Sequence, residues 1–137
     1  MIRMIKIFQK YYLYIIYTVL LIYSITLIVL SSLPLNPSPK SVYFDKFQHF
    51  GAYALLTFIL YLALKLQNRI LLLKNNPALF AALIAFSFGF IMEIQQLLLT
   101  SRTFNKYDLL ANMIGSILMI LIIKFGIKIF KVIRTST

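Results

Sequence analysis

The side chains able to do acid–base or recognition chemistry in this chain are few. It has three acidic residues, Asp45, Glu93 and Asp108, and a single histidine, His49. Asp45, His49 and Tyr53 follow one another at steps of four, which places them on one stripe of a helix with about 3.6 residues per turn. In a dry site, a carboxylate and an imidazole can serve as acid and base. The spacing therefore predicts a polar helix stripe with titratable groups.

Two further segments carry polar residues at helical spacing. Glu93 and Gln96 share a face of one apolar run, and Asp108 and Asn112 share a face of the next. Arg102 lies in the short connection between these two runs. We predict that the stripes converge as one polar cluster, and we select nine residues for it. They are Asp45, Lys46, His49, Tyr53, Glu93, Gln96, Arg102, Asp108 and Asn112.

The composition excludes several other kinds of site. Without cysteine there is no disulfide, no Cys-ligated metal, no iron–sulfur cluster and no thiol nucleophile. A single histidine excludes a multi-His metal site, so we predict neither a metal nor a cofactor. The 14 Lys and Arg residues lie between long apolar runs rather than on one face of a soluble fold, and nucleic acid is therefore not a predicted partner.

The elements that must position these residues are membrane helices. The 137-residue chain is 61% hydrophobic, only 12% charged, and has a mean hydropathy of +0.90. About 20 apolar residues suffice to cross the hydrocarbon core. We predict one all-α membrane domain over residues 1–137, with transmembrane helices at about 11–33, 46–65, 77–100 and 108–130. The first run follows basic residues, as in a secretory signal, but it is long and lacks the small-residue cleavage pattern, which favours a retained helix.

Basic residues predict the orientation. Ten lie at the two ends of the chain and in the second connection, against four around the other two connections. Both termini are therefore predicted to be cytoplasmic, and the polar cluster lies in the outer half of the membrane. The ten are Arg3, Lys6, Lys10, Lys65, Arg69, Lys74, Lys124, Lys128, Lys131 and Arg134, and the four are Lys40, Lys46, Arg102 and Lys106.

Each acidic residue also has a purely structural interpretation. Asp45 and Asp108 begin predicted helices, where a carboxylate satisfies free N–H groups and complements the helix dipole. His49 could bond a backbone carbonyl. Glu93, at membrane depth, needs partners such as Arg102, Lys46 or His49, which fits either a salt-bridged staple or a pocket. The convergence of all these groups favours a pocket.

The segments Asp45–Tyr53, Gly89–Gln96 and Arg102–Gly115 resemble, in order and spacing, the VanZ-like family of small bacterial membrane proteins. The shared pattern is DK-x-x-H-x-x-x-Y, then E-x-x-Q, then R and D-x-x-x-N-x-x-G, over residues of about 30 to 120. The resemblance implies a multi-pass protein of the bacterial cytoplasmic membrane. The family is named for a protein associated with low-level teicoplanin resistance, and its biochemical mechanism is not established.

Two hypotheses of different classes follow. In the first, the protein is not an enzyme: it contacts membrane lipids and binds a lipid-linked cell-wall precursor or another anionic envelope component. Lys46, Arg102 and Lys106 would then give the rim of the pocket a positive charge suited to phosphate or carboxylate, and teicoplanin susceptibility would fall.

In the second hypothesis, the protein is an intramembrane enzyme acting on a lipid-linked substrate, with His49 and either Glu93 or Asp45 as acid and base. No nucleophile motif, metal cluster or phosphate loop in the sequence supports this alternative. Proton-coupled transport would require an oligomer, because four helices enclose only a narrow path, and the sequence leaves the oligomeric state open.

Overall fold

A computed structural model describes residues 2–33, 42–99 and 105–135, and 94% of these residues are helical, with no strand among them. Four of the helices are long and apolar enough to cross a membrane. The chain is therefore an all-α polytopic membrane protein, as predicted. The helices are α1 (Ile2–Ser32), α2 (Val42–Leu66), α3 (Leu71–Asn75), α4 (Pro77–Leu99) and α5 (Lys106–Thr135).

Helices α1, α2 and α5 extend beyond the apolar runs that predicted them, whereas α4 does not. α1 begins nine residues before the predicted start at 11, and α5 continues to Thr135. Lys, Arg and Gln are good helix formers, and their long side chains reach the membrane surface, so a helix need not end where its apolar run ends. α1 is thus longer than the segment that is apolar enough to cross the membrane, Ile7–Ser32.

The short helix α3, in the connection between α2 and α4, was not predicted. Gln67 organises the turn before it: its Nε2 donates to the carbonyl of Ile70 at 2.7 Å, and its Oε1 accepts from the backbone N–H groups of Arg69 and Ile70 at 2.8 and 2.9 Å. The side chain is buried. One glutamine therefore satisfies backbone groups that a turn leaves open.

Helix α2 occupies the centre of the fold and packs against α1, α4 and α5. Its residues Tyr53, Leu56 and Leu60 form the core with Ala81 and Ala85 of α4, which are fully buried. Small side chains at steps of four let α4 approach α2 closely. The core thus fixes the face that α2 turns towards α4.

Helices α2 and α5 cross the membrane in the same direction, because α1, α2, α4 and α5 alternate in direction and α3 is too short to span. They approach closely where Gly115 faces the backbone of Phe50. This contact aligns the two helices, so that Asp45 lies beside Asp108 and His49 lies beside Asn112. Parallel alignment brings two polar stripes together at one end of the bundle.

Four spans place both termini on one side, which a labelling experiment can assign. The chain has no cysteine, so single Lys106→Cys and Lys131→Cys variants carry one thiol each, at exposed sites near opposite ends of α5. With a membrane-impermeant maleimide, we expect Lys106→Cys to react in intact cells and Lys131→Cys to react only after permeabilisation. The reverse pattern would show that the polar cluster faces the cytoplasm.

Candidate functional site

The starts of α2 and α5 are joined through Lys46. Its ammonium nitrogen lies 3.0 Å from Asp45 Oδ2 and also donates to Asp108 Oδ1. Both aspartates lie in the first turn of their helices, and Asp108 is only 6% exposed. At the start of α5 the capping bond comes from Asn105, whose Oδ1 accepts from the Tyr107 N–H at 3.0 Å. The side chain of Asp108 is thus held by Lys46 and does not serve as the cap.

His49 lies beside this ion-paired group. Its Nε2 is 3.8 Å from Asp45 Oδ1 and 4.0 Å from Asp108 Oδ2, and its Nδ1 is 3.1 Å from Asn112 Oδ1. The expectation that a backbone carbonyl might hold the ring is wrong, since the partner is the Asn112 side chain. The ring therefore stands between an amide and two carboxylates.

Glu93 of α4 is buried, with only 2% of its surface exposed. Its Oε2 accepts from the backbone N–H of Asn105 at 3.2 Å, which ties α4 to the start of α5. Lys46 and His49, two of the partners predicted for Glu93, lie beside Asp45 and Asp108 instead, because these aspartates are on their own or the adjacent parallel helix. Lys46 is ion-paired with both aspartates, and His49 Nε2 lies 3.8 and 4.0 Å from their oxygens. The third, Arg102, lies outside the described residues.

Tyr53 and Gln96 are buried below and beside this group. The Tyr53 ring packs against Phe88, with ring centroids 6.4 Å apart, and lies directly over Gly89. A Cβ at Gly89 would stand 2.9 Å from Tyr53 Cε1 and 3.1 Å from Asn112 Nδ2. The glycine in this turn of α4 therefore leaves the space that both polar side chains need.

A cavity of about 260 Å³ lies among α1, α2, α4 and α5. Its wall on α1 is apolar, with Leu27, Leu30 and Leu33, together with Ser31. Six of the nine predicted residues line the cavity; Lys46 and Asp108 adjoin it through their ion pair, and Arg102 lies outside the described residues. The six are Asp45, His49, Tyr53, Glu93, Gln96 and Asn112.

The sequence did not predict the contribution of α1. Tyr23 donates from its hydroxyl to the carbonyl of Ala52 at 3.0 Å, and Gln95 Nε2 donates to Ser32 Oγ at 2.5 Å. These contacts attach the C-terminal half of α1 to α2 and α4. The only signal for them in the apolar run is the Ser31-Ser32 pair near its end. Gln48, Ala52 and Met92 complete the lining.

Among the described residues, Asp45, His49 and Asp108 are the group that could hold a metal ion, since they offer ligand atoms within 4.8 Å of one another. The ammonium group of Lys46 contacts both of these carboxylates. A metal ion would have to compete with this lysine for the same oxygens, and a lysine is not a metal ligand while it is protonated. The geometry thus suits an internal ion pair better than a metal centre.

Protein-family models, curated proteins and solved structures give no match to this chain. The resemblance to the VanZ-like family therefore stays a prediction that rests on the motif residues. The fold brings together residues that are far apart in the sequence: Lys46 is in contact with Asp108, and His49 is in contact with Asn112.

Proposed function

We propose that this chain is a VanZ-like protein of the bacterial cytoplasmic membrane that binds a lipid-linked component of the cell envelope in this cavity. The observation that carries the proposal is the cavity's two-sided lining. Leu27, Leu30 and Leu33 form one side, and polar groups of three other helices form the other. An amphipathic molecule with a hydrocarbon chain and a polar end matches both sides at once.

The depth of the cavity agrees with such a ligand. Glu93 lies six residues before the end of α4, which corresponds to about 9 Å along a helix. A lipid-linked molecule in the same leaflet places its polar end and the first part of its chain at this depth. The exposed outer part of α1, including Leu30 and Leu33, leaves the apolar side of the cavity next to the lipid.

A mass-spectrometric comparison of copurifying lipids tests the binding. The wild type, Glu93→Gln and the control Lys128→Gln would be purified from the same envelope at equal yield; the control removes a charge from an exposed side chain of α5. We expect one class of lipid to be enriched with the wild type and the control, and to be depleted with Glu93→Gln. Identical lipid profiles for all three proteins would contradict the proposal.

Teicoplanin susceptibility, with vancomycin for comparison, tests the envelope role in a Gram-positive host. At matched membrane levels, the wild type and Lys128→Gln are expected to lower teicoplanin susceptibility selectively. Glu93→Gln and Arg102→Ala are expected to abolish the effect, because each removes a charged group of the predicted cluster. A well-inserted wild type without any effect would separate the binding function from antibiotic resistance.

An intramembrane enzyme is the second candidate. The observation that favours it is that His49 and Glu93 line the same cavity, with Asp45 beside the histidine at 3.8 Å. Such a set can transfer protons to and from a bound substrate. Conversion of a lipid-linked substrate by the purified wild type, lost in His49→Gln while lipid copurification persists, would promote this candidate over simple binding.

A further inference from the structure

The charged residues that line the cavity, within the described part of the chain, are both acidic. They are Asp45 and Glu93. The other titratable side chains in the described lining are those of His49 and Tyr53. Lys46 is directed to the two aspartates and does not line the cavity. Carboxylates within a membrane protein are costly unless a cation or several hydrogen bonds compensate them. Among the described residues, the cavity thus presents two carboxyl groups, and no lysine or arginine, to its occupant.

Both carboxylates keep acceptor capacity after their contacts within the described residues. Glu93 accepts one backbone N–H, from Asn105, at Oε2. Asp45 Oδ2 accepts from Lys46, while Asp45 Oδ1 is 3.8 Å from His49 Nε2, beyond the length of a hydrogen bond. A carboxylate has about four acceptor sites, so each can receive further donors. An ammonium group offers three donors and a positive charge, whereas a phosphate offers neither to these oxygens.

We infer that the ligand's polar end in this cavity is an ammonium group, paired with Glu93 and Asp45, on an amphiphile whose hydrocarbon chain lies along Leu27 and Leu30. This inference rests on the proposed function of the cavity and names the chemistry of its ligand. It departs from the anionic component predicted from the sequence, because Lys46, one of three basic residues predicted to hold the anion with Arg102 and Lys106, is paired with the aspartates.

A titration that follows the quenching of tryptophan fluorescence tests the inference. The chain has no tryptophan, so a Leu30→Trp variant reports on the cavity, and Val29→Trp reports on the same depth outside its lining. Each variant, in phosphatidylcholine nanodiscs, is titrated with decylammonium, decanol and decyl phosphate that carry bromine at the chain end. We expect saturable quenching in Leu30→Trp, with decylammonium binding about tenfold more tightly than decanol and decyl phosphate binding most weakly.

The carboxylates are tested in the Leu30→Trp background. Glu93→Gln is expected to weaken the binding of decylammonium about tenfold and to leave the binding of decanol unchanged. Asp45→Asn serves as the second variant if Glu93→Gln folds poorly. Tightest binding of decyl phosphate, equal binding of all three probes, or an ammonium preference that survives both variants would overturn the inference while leaving the cavity as a binding site. Equal quenching of Leu30→Trp and Val29→Trp by every probe would instead overturn the proposed function.

Two sources could supply an ammonium group in an envelope: a phosphatidylethanolamine of the bilayer, or an amine on a lipid-linked precursor. Replacing part of the phosphatidylcholine by phosphatidylethanolamine separates them. Weaker apparent binding of decylammonium in these nanodiscs supports the bilayer lipid as ligand. Unchanged binding supports an amine carried by a different lipid-linked molecule.

Discussion

Gly115→Ala is expected to destabilise the protein by about 3 kcal/mol, a large effect for the addition of one methyl group. A Cβ at this position would overlap the carbonyl oxygen of Phe50 and crowd its carbonyl carbon and Cα. These are backbone atoms, so no side chain can rotate away, and α2 and α5 would have to separate. The contact that aligns Asp45 with Asp108 would be lost with them.

Two other glycines supply matched controls for this prediction. Gly51 in α2 and Gly126 in α5 have no atom within 4 Å of a built Cβ. Alanine at either site should keep or raise stability, by up to about 1 kcal/mol, because alanine favours the helix over glycine. Unfolding in mixed micelles, followed by far-ultraviolet circular dichroism, gives the free energies of unfolding of the three variants. Equal effects of all three substitutions would show that the α2–α5 approach is looser than described.

The pairing of α2 with α5 shows how much the sequence could predict. The steps of four from Asp45 to His49 and from Asp108 to Asn112 indicated two polar stripes. The stripes belong to parallel helices in register, and this puts Asp45 and His49 beside Asp108 and Asn112. Helical periodicity identifies a face, but it does not specify which neighbour that face meets. The residues that Lys46 and Glu93 contact could therefore not be predicted from the sequence.

The apolar wall of the cavity could not be predicted from the sequence either, for a different physical reason. Helix α1 is apolar on all sides over most of its length, so its pattern does not distinguish a lipid-facing side from a cavity-facing one. Tertiary contacts make that choice, through Tyr23 to Ala52 and Ser32 to Gln95. The polar half of the site could be predicted because polar residues are rare in a membrane helix and each one needs a partner.

Lys46→Met is expected to lower the free energy of unfolding by about 2 kcal/mol, since it leaves two carboxylates side by side without their lysine. A fully buried pair would cost more, but the side chains of Lys46 and Asp45 are 24% and 27% exposed, and water screens part of the repulsion. Asp108→Asn should cost less, about 1 kcal/mol, because Lys46 keeps Asp45 as its partner. Mixed-micelle unfolding measures both, with the exposed Lys128→Met as control.

The double variant Lys46→Met/Asp108→Asn decides what Lys46 does. If the lysine neutralises the two aspartates, removing one carboxylate relieves the repulsion that Lys46→Met creates. The double variant should then be more stable than the sum of the single effects, by at least about 1 kcal/mol. If Lys46 instead projected from the rim to hold an anionic ligand, as its place in the sequence suggested, Lys46→Met would barely change stability. The two effects would then add, and the ammonium preference inferred for the cavity would lose its electrostatic basis.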